Sequence, residues 1–191
     1  MQIHHQLEVI ITRFLPLTAL AFALATPVFA ANPDVGGAAM FENKNIVENA
    51  VNSADHTTLV AAVQAAGLVD TLASPGPFTV FAPVNAAFAA LPAGTVDTLL
   101  MPENKGLLTK VLTAHVLAGT MTASDLSACA KKGKDGFCNL TTVSGDAVSI
   151  KMNGATAMVY GESGSIGSVT IADVMQSNGV IHVVDTVLVP K

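Results

Sequence analysis

The apolar pattern of this chain changes period along its length, and that change constrains the fold more than any other feature. In the first half, apolar residues recur at helical spacing: Ile46, Val47, Ala50 and Val51, then Leu59, Val60, Val63, Ala66 and Val69. Asp55 or Thr57 is expected to cap the second of these helices. The cluster Ser74-Pro75-Gly76-Pro77 stops it. A short β-prone run, Phe78 to Phe81, follows and ends at Pro83. Asn85 is placed to cap a helix over AAFAAL, which Pro92 closes. Thr95 to Leu100 suits a short helix, and Pro102 opens another that carries Leu107, Leu108, Val111 and Leu112.

Beyond this point the period becomes that of strands. Leu140 to Val143, Ala147 to Met152, Ala155 to Tyr160, Val169 to Val174 and Val180 to Val189 read as strands. Asn153-Gly154 is expected to form a two-residue hairpin turn, and Gly145-Asp146 a second turn. The last strand is apolar on both faces, which predicts an interior position. Helices followed by strands in one chain of 191 residues indicate a single α+β domain.

Only 12% of residues are charged and 51% are apolar, which excludes a disordered chain. The formal net charge of −5 supplies no basic excess for nucleic acid. With no Trp and a single Tyr, Tyr160, base-stacking platforms and aromatic sugar strips lack their usual material. Phe14 to Ala30 is an uncharged apolar run that follows Arg13, with Val28 and Ala30 at the −3 and −1 positions of a cleavage site. That is the layout of a secretory signal peptide over residues 1–30. An uncleaved anchor helix is the competing reading, disfavoured by Pro16 and Pro27. Residues 31–42, rich in Gly, Pro and small side chains, read as a flexible lead-in, so the packed domain is expected over residues 43–191. No membrane span is expected after cleavage, and the location is secreted or periplasmic.

Export sets the redox context. Cys129 and Cys138 are the only cysteines and are expected to form one disulfide. A redox-active pair or a metal site would suit a C-x-x-C spacing or a nearby His, and neither is present. Asn139-Leu140-Thr141 is a glycosylation sequon, meaningful in a eukaryotic source.

Catalytic signatures such as G-x-S-x-G, S-x-x-K, the P-loop and H-E-x-x-H are missing from the sequence. After cleavage the histidines are His56, His115 and His182. His115 and His182 lie in apolar segments, where a buried ring bonded to backbone groups is the expected state; a catalytic base is the alternative. His182 and Asp185, three apart on a strand, would point to opposite faces, so no metal site is expected. Lys131, Lys132 and Lys134 form a small basic spot, read as a solvated loop.

Three segments together resemble the fasciclin family and its FAS1 domain. TVFAPVNAAF (Thr79 to Phe88) resembles the first signature block and NGVIHVVDTVLVP (Asn178 to Pro190) the second. LLTKVLTAHVLAG (Leu107 to Gly119) resembles the central Tyr-His segment, with Ala114 in the place of Tyr. The resemblance implies an α+β fold with N-terminal helices packed on a β-sandwich or wedge. It makes Thr79, Phe81, Pro83, Asn85, Phe88, His115, Gly179, His182 and Asp185 structural motif residues. Asp173-Val174 resembles the family's Asp-Ile adhesion dipeptide. The implied role is a non-enzymatic, monomeric adhesion or interaction module, without cofactor, that binds a protein or polysaccharide at the cell surface or in the extracellular matrix. The alternative is a periplasmic binder of a small apolar ligand, which an enclosed apolar pocket of about 300 Å3 or more would favour.

Overall fold

The computed structural model describes residues 32–191; the expected signal peptide and its cleavage site lie outside the described residues. Helix α1 (Ile46–Ala50) opens on a capping box in which Asn45 and Glu48 exchange side-chain and backbone bonds. Helix α2 (Thr57–Ala66) buries Leu59, Ala62, Val63 and Ala66 and ends at Gly67, whose left-handed conformation closes the helix. Helix α3 (Val69–Ala73) leads to the Pro-Gly-Pro breaker, after which β1 (Phe78–Pro83) begins. Helices α4 (Asn85–Ala89), α5 (Thr95–Leu100) and α6 (Lys105–Thr113) follow, then β2 (Val116–Ala118).

Helix α7 (Ala123–Lys132) has no counterpart in the sequence reading. A capping box between Thr122 and Asp125 starts it, and Leu126 and Ala130 face the core. The chain ends with β3 (Phe137–Thr141), β4 (Ala147–Asn153), β5 (Thr156–Gly161), β6 (Ile166–Gln176) and β7 (Gly179–Val184). The hairpin between β4 and β5 pairs Asn153 with Thr156, so its turn residues are Gly154 and Ala155, one place later than the sequence suggested.

The strands form one sheet in the order β2-β1-β7-β6-β5-β4-β3. Strands β1 and β7 run parallel and are flanked by the antiparallel neighbours β2 and β6. Strand β7 is buried at every position, which explains its nearly continuous apolar run. It is shorter than the sequence suggested: Asp185 and the residues after it leave the sheet.

Two cores sit on opposite faces of β1, β2 and β7. Val80, Ala82, Val116, Ile181 and Val183 face the helices α1 to α6. Phe81, Leu117 and Val184 face the other way and meet Leu126 of α7 together with Cys138, Val148, Ile150 and Val159 of β3, β4 and β5. Register shifts between Val169 and Val174 on β6 link the two halves of the sheet. This is the expected α+β wedge.

One expected boundary is corrected. Residues 32–42 are no loose lead-in, because Val35 and Met40 are only 3% and 7% exposed within the helix-side core. Asn32 also bonds both backbone groups of Met175. The small and turn-forming residues that suggest flexibility here instead let the chain lie close against the body.

Candidate functional site

The sequence singled out a set of polar residues inside apolar segments, and the structure joins several of them into one chain of bonds. Thr79 on β1 donates its hydroxyl to the Gly119 carbonyl at 2.7 Å and accepts the Met121 amide at 2.8 Å. The Met121 carbonyl lies 2.8 Å from His182 Nε2. A carbonyl only accepts, so Nε2 carries the proton and Nδ1 is left to accept the Asp173 amide at 3.3 Å. The Asp173 carboxylate then accepts the amide of Ala123, the first residue of α7, at 2.7 Å. Strands β1, β6 and β7 thereby fix the loop that launches α7.

His115 is a second fastening, with the opposite tautomer. Its Nδ1 donates to the Val111 carbonyl at 2.8 Å, and its Nε2 accepts the Leu188 amide at 2.8 Å. It ties the end of α6 to the segment after β7. Burial pushes its pKa down to about 4, against the opposing pull of the Val111 carbonyl. Burial also lowers the pKa of His182, opposed by the Met121 carbonyl and the Asp173 charge. Both rings are neutral near pH 7, and both nitrogens of each are engaged by backbone groups. Neither is available to abstract a proton.

The remaining expected residues take structural places. Asn85 does not cap its own helix: it is the first residue of α4, and Val84 holds the cap position. Its side chain instead accepts the Thr58 amide at 3.0 Å, capping α2 from a distance, and donates to the Ala54 carbonyl at 2.8 Å. That replaces Asp55 or Thr57 as the cap; the residue at the α2 cap position is His56, whose side chain makes no capping bond. Phe81 and Phe88 are buried, one in each core. Pro83 closes β1 opposite Val184. Gly179 pairs with Phe78, and a Cβ there would collide with the Phe78 backbone. Asp185 accepts the Ser168 amide at 2.7 Å and holds β6 against the exit from β7.

The candidate adhesion dipeptide is corrected. Val174 is 0% exposed, and Asp173 is half-buried with its carboxylate committed to α7. Asp173 also adopts a left-handed backbone (φ 57°), which Asp tolerates better than most residues, at the irregularity between Ile171 and Val174. The pair is a corner of the fold rather than a contact surface.

Cys129 on α7 and Cys138 on β3 form a disulfide. The basic spot follows from this geometry: Lys131 and Lys132 occupy the last turn of α7, where positive charge is favoured, and project into solvent. Among the described residues no group of His, Cys, Asp and Glu side chains is arranged to hold a metal ion, and no helix is long and apolar enough to cross a membrane.

Sequence reasoning missed two polar anchors. Asn178 accepts the Ile46 amide and donates to the carbonyls of Leu72 and Ser74, so one side chain joins α1, α3 and the start of β7. Its only sequence signal is the Asn-Gly dipeptide ahead of an apolar run, which reads as an ordinary turn. The Thr122/Asp125 capping box was legible as a T-x-x-D pattern but lay in a stretch dominated by the cysteines.

A cavity of about 100 Å3 lies between the helices and β1 and β7. It is about a third of the volume named as favouring the small-ligand alternative. Ser53, His56 and His115 are the buried polar residues on its wall.

These features define a scaffold: an α+β wedge whose embedded histidines fasten loops and whose two cysteines staple a helix to a strand. The profile described as the fasciclin domain matches residues 54–190, and the chain belongs to the fasciclin family. Protein sll1483 of Synechocystis is 42% identical over 186 residues, which covers 94% of this chain and 96% of that protein. Immunogenic protein MPB70 of Mycobacterium bovis is 32% identical over 193 residues, covering 91% of each. Among solved structures, a FAS1 domain pair from the insect cell adhesion molecule Fasciclin I superposes with a TM-score of 0.66. That match covers 76% of this chain and 50% of the pair at 19% identity, so it speaks for the fold alone. The family match indicates no catalytic family.

Proposed function

We propose that the protein is an exported, non-enzymatic interaction module whose rigid body presents surface loops to a protein or polysaccharide partner at the cell surface or in the surrounding matrix. The observation that carries this reading is the state of the two motif histidines. Each sits in an apolar interior with both ring nitrogens bonded to backbone, so the hallmark segments act as architecture and leave recognition to the surface. The disulfide supports an oxidising destination, secreted or periplasmic. Membership of the fasciclin family supports the interaction role.

The test is binding of the labelled, purified protein to intact host cells and to isolated envelope polysaccharide, with competition by unlabelled protein. Saturable, competable binding that survives in a folded His182→Ala variant is expected. Turnover of a substrate that disappears in that variant would overturn the reading. Mass spectrometry of the exported form is expected to find Ala31 at its start, and size-exclusion chromatography to find a monomer.

A further inference from the structure

The third histidine differs from the other two. His56 is 3% exposed, and its Nδ1 lies 2.9 Å from the Ser53 hydroxyl; burial disfavours the charged ring and the Ala82 backbone opposes that effect, but Nε2 has no partner at hydrogen-bond geometry among the described residues. A buried ring nitrogen without a partner costs about 1–3 kcal/mol. His115 and His182 show that this fold meets that requirement elsewhere. His56 lines the cavity between the helices and the sheet, whose other walls include Ile46, Leu59, Val63, Val80 and Ile181. The residues around the cavity include no Asp, Glu, Lys or Arg, and Gln64 and Thr71 bring its edge to exposed surface.

We propose that this cavity is a binding site for a small neutral molecule, mostly hydrocarbon with one hydroxyl group, which forms a hydrogen bond with His56 Nε2. Size sets the first limit. The cavity of about 100 Å3 is smaller than the engineered apolar cavity of about 150 Å3 that accepts benzene, which restricts the ligand to about four non-hydrogen atoms. Charge sets the second. An ion would lose its hydration without gaining a counter-charge from this wall, so the ligand is neutral. The hydrogen-bonding role of Nε2 depends on the Ser53 contact. If Ser53 donates to Nδ1, Nε2 carries a proton and donates; if Nδ1 donates to Ser53, Nε2 accepts. A hydroxyl can answer either state, whereas an ether or ketone answers only one.

A matched pair of probes, 2-propanol and propane, separates the polar contribution from the apolar one. Methyl NMR of the purified protein is expected to show saturable shifts at Ile46, Val63 and Ile181 with both. 2-Propanol should bind more tightly than propane, and its methyl protons should give nuclear Overhauser contacts to the His56 ring. In His56→Phe, 2-propanol affinity should fall roughly tenfold while propane binding is retained. Val63→Phe, which fills the cavity, should abolish binding of both. No saturable shift in the wild-type protein would identify a packing void and overturn the proposal. So would contacts of 2-propanol to other residues without any to His56, a result that needs no variant to fold. An unchanged preference for the alcohol in His56→Phe would overturn it equally.

Discussion

The two cores of this domain share the same strands yet are secured by different means. On the α7 side, a covalent bond joins Cys129 to Cys138, and Leu126, Ile150 and Val159 are fully buried around it. On the helix side, α1 to α6 include several helices of only five or six residues, too short to be stable alone. They are held by single polar side chains that reach across the sequence: Asn85 to α2, Asn178 to α1 and α3, and His115 to the segment after β7. The cavity lies on that side. The contrast teaches that a family hallmark can be a fastening. The motif residues tie both sides: Asn85 and His115 hold the helix side, and Thr79 and His182 hold the loop before α7.

The largest expected effect is on the helix side. His115→Ala would leave the Leu188 amide and the Val111 carbonyl without their present partner and open a void, for an expected loss of about 3–5 kcal/mol. Urea unfolding measures it, and a loss below about 1 kcal/mol would remove His115 from the list of essential ties.

Acid should act on the same tie. The folded-state pKa of His115, about 4, lies below its ordinary value of 6.5. The unfolded chain therefore takes up a proton first as pH falls. Stability is fully present above pH 6.5 and is lost progressively down to about pH 4, by about 3 kcal/mol for this group. Unfolding at pH 7, 5.5 and 4 should show that slope in the wild-type protein and a shallower one in His115→Gln.

Reduction of the disulfide should cost the α7 side about 2.5–3 kcal/mol by the loop-entropy relation for a loop of about ten residues. Hydrogen exchange should then rise in α7 and β3 before it rises in α2 and α6. Uniform loosening would show that the two cores form one cooperative unit and end the comparison. The smallest effect is expected from Asn85→Ala. Losing the remote cap of α2 should cost about 1 kcal/mol, read as a modest drop in melting temperature.

Much of the fold was legible because periodicity is local. The spacing of Leu59, Val63 and Ala66 marked α2, and the doubly apolar run at Val180 to Val184 marked an interior strand. Helix α7 was missed because only Leu126 and Ala130 of it are buried, too few to show a stripe among Ser, Lys and Asp. The second ring partners of His115 and His182 were invisible, since Leu188 and Asp173 come from segments that only folding brings near. Asp173-Val174 was misjudged because a dipeptide carries no sign of its own burial.

The amino-acid order alone determined the α+β class, the helix-then-strand progression, the cysteine pair and the family blocks, because each depends on short-range pattern. Tertiary structure decided which helix Asn85 caps, which tautomers His115 and His182 adopt, and that His56 Nε2 lacks a partner among the described residues around an apolar cavity. Those outcomes depend on hydrogen bonds between residues far apart in the chain, and whether such a bond forms is settled only by the packing that encloses it.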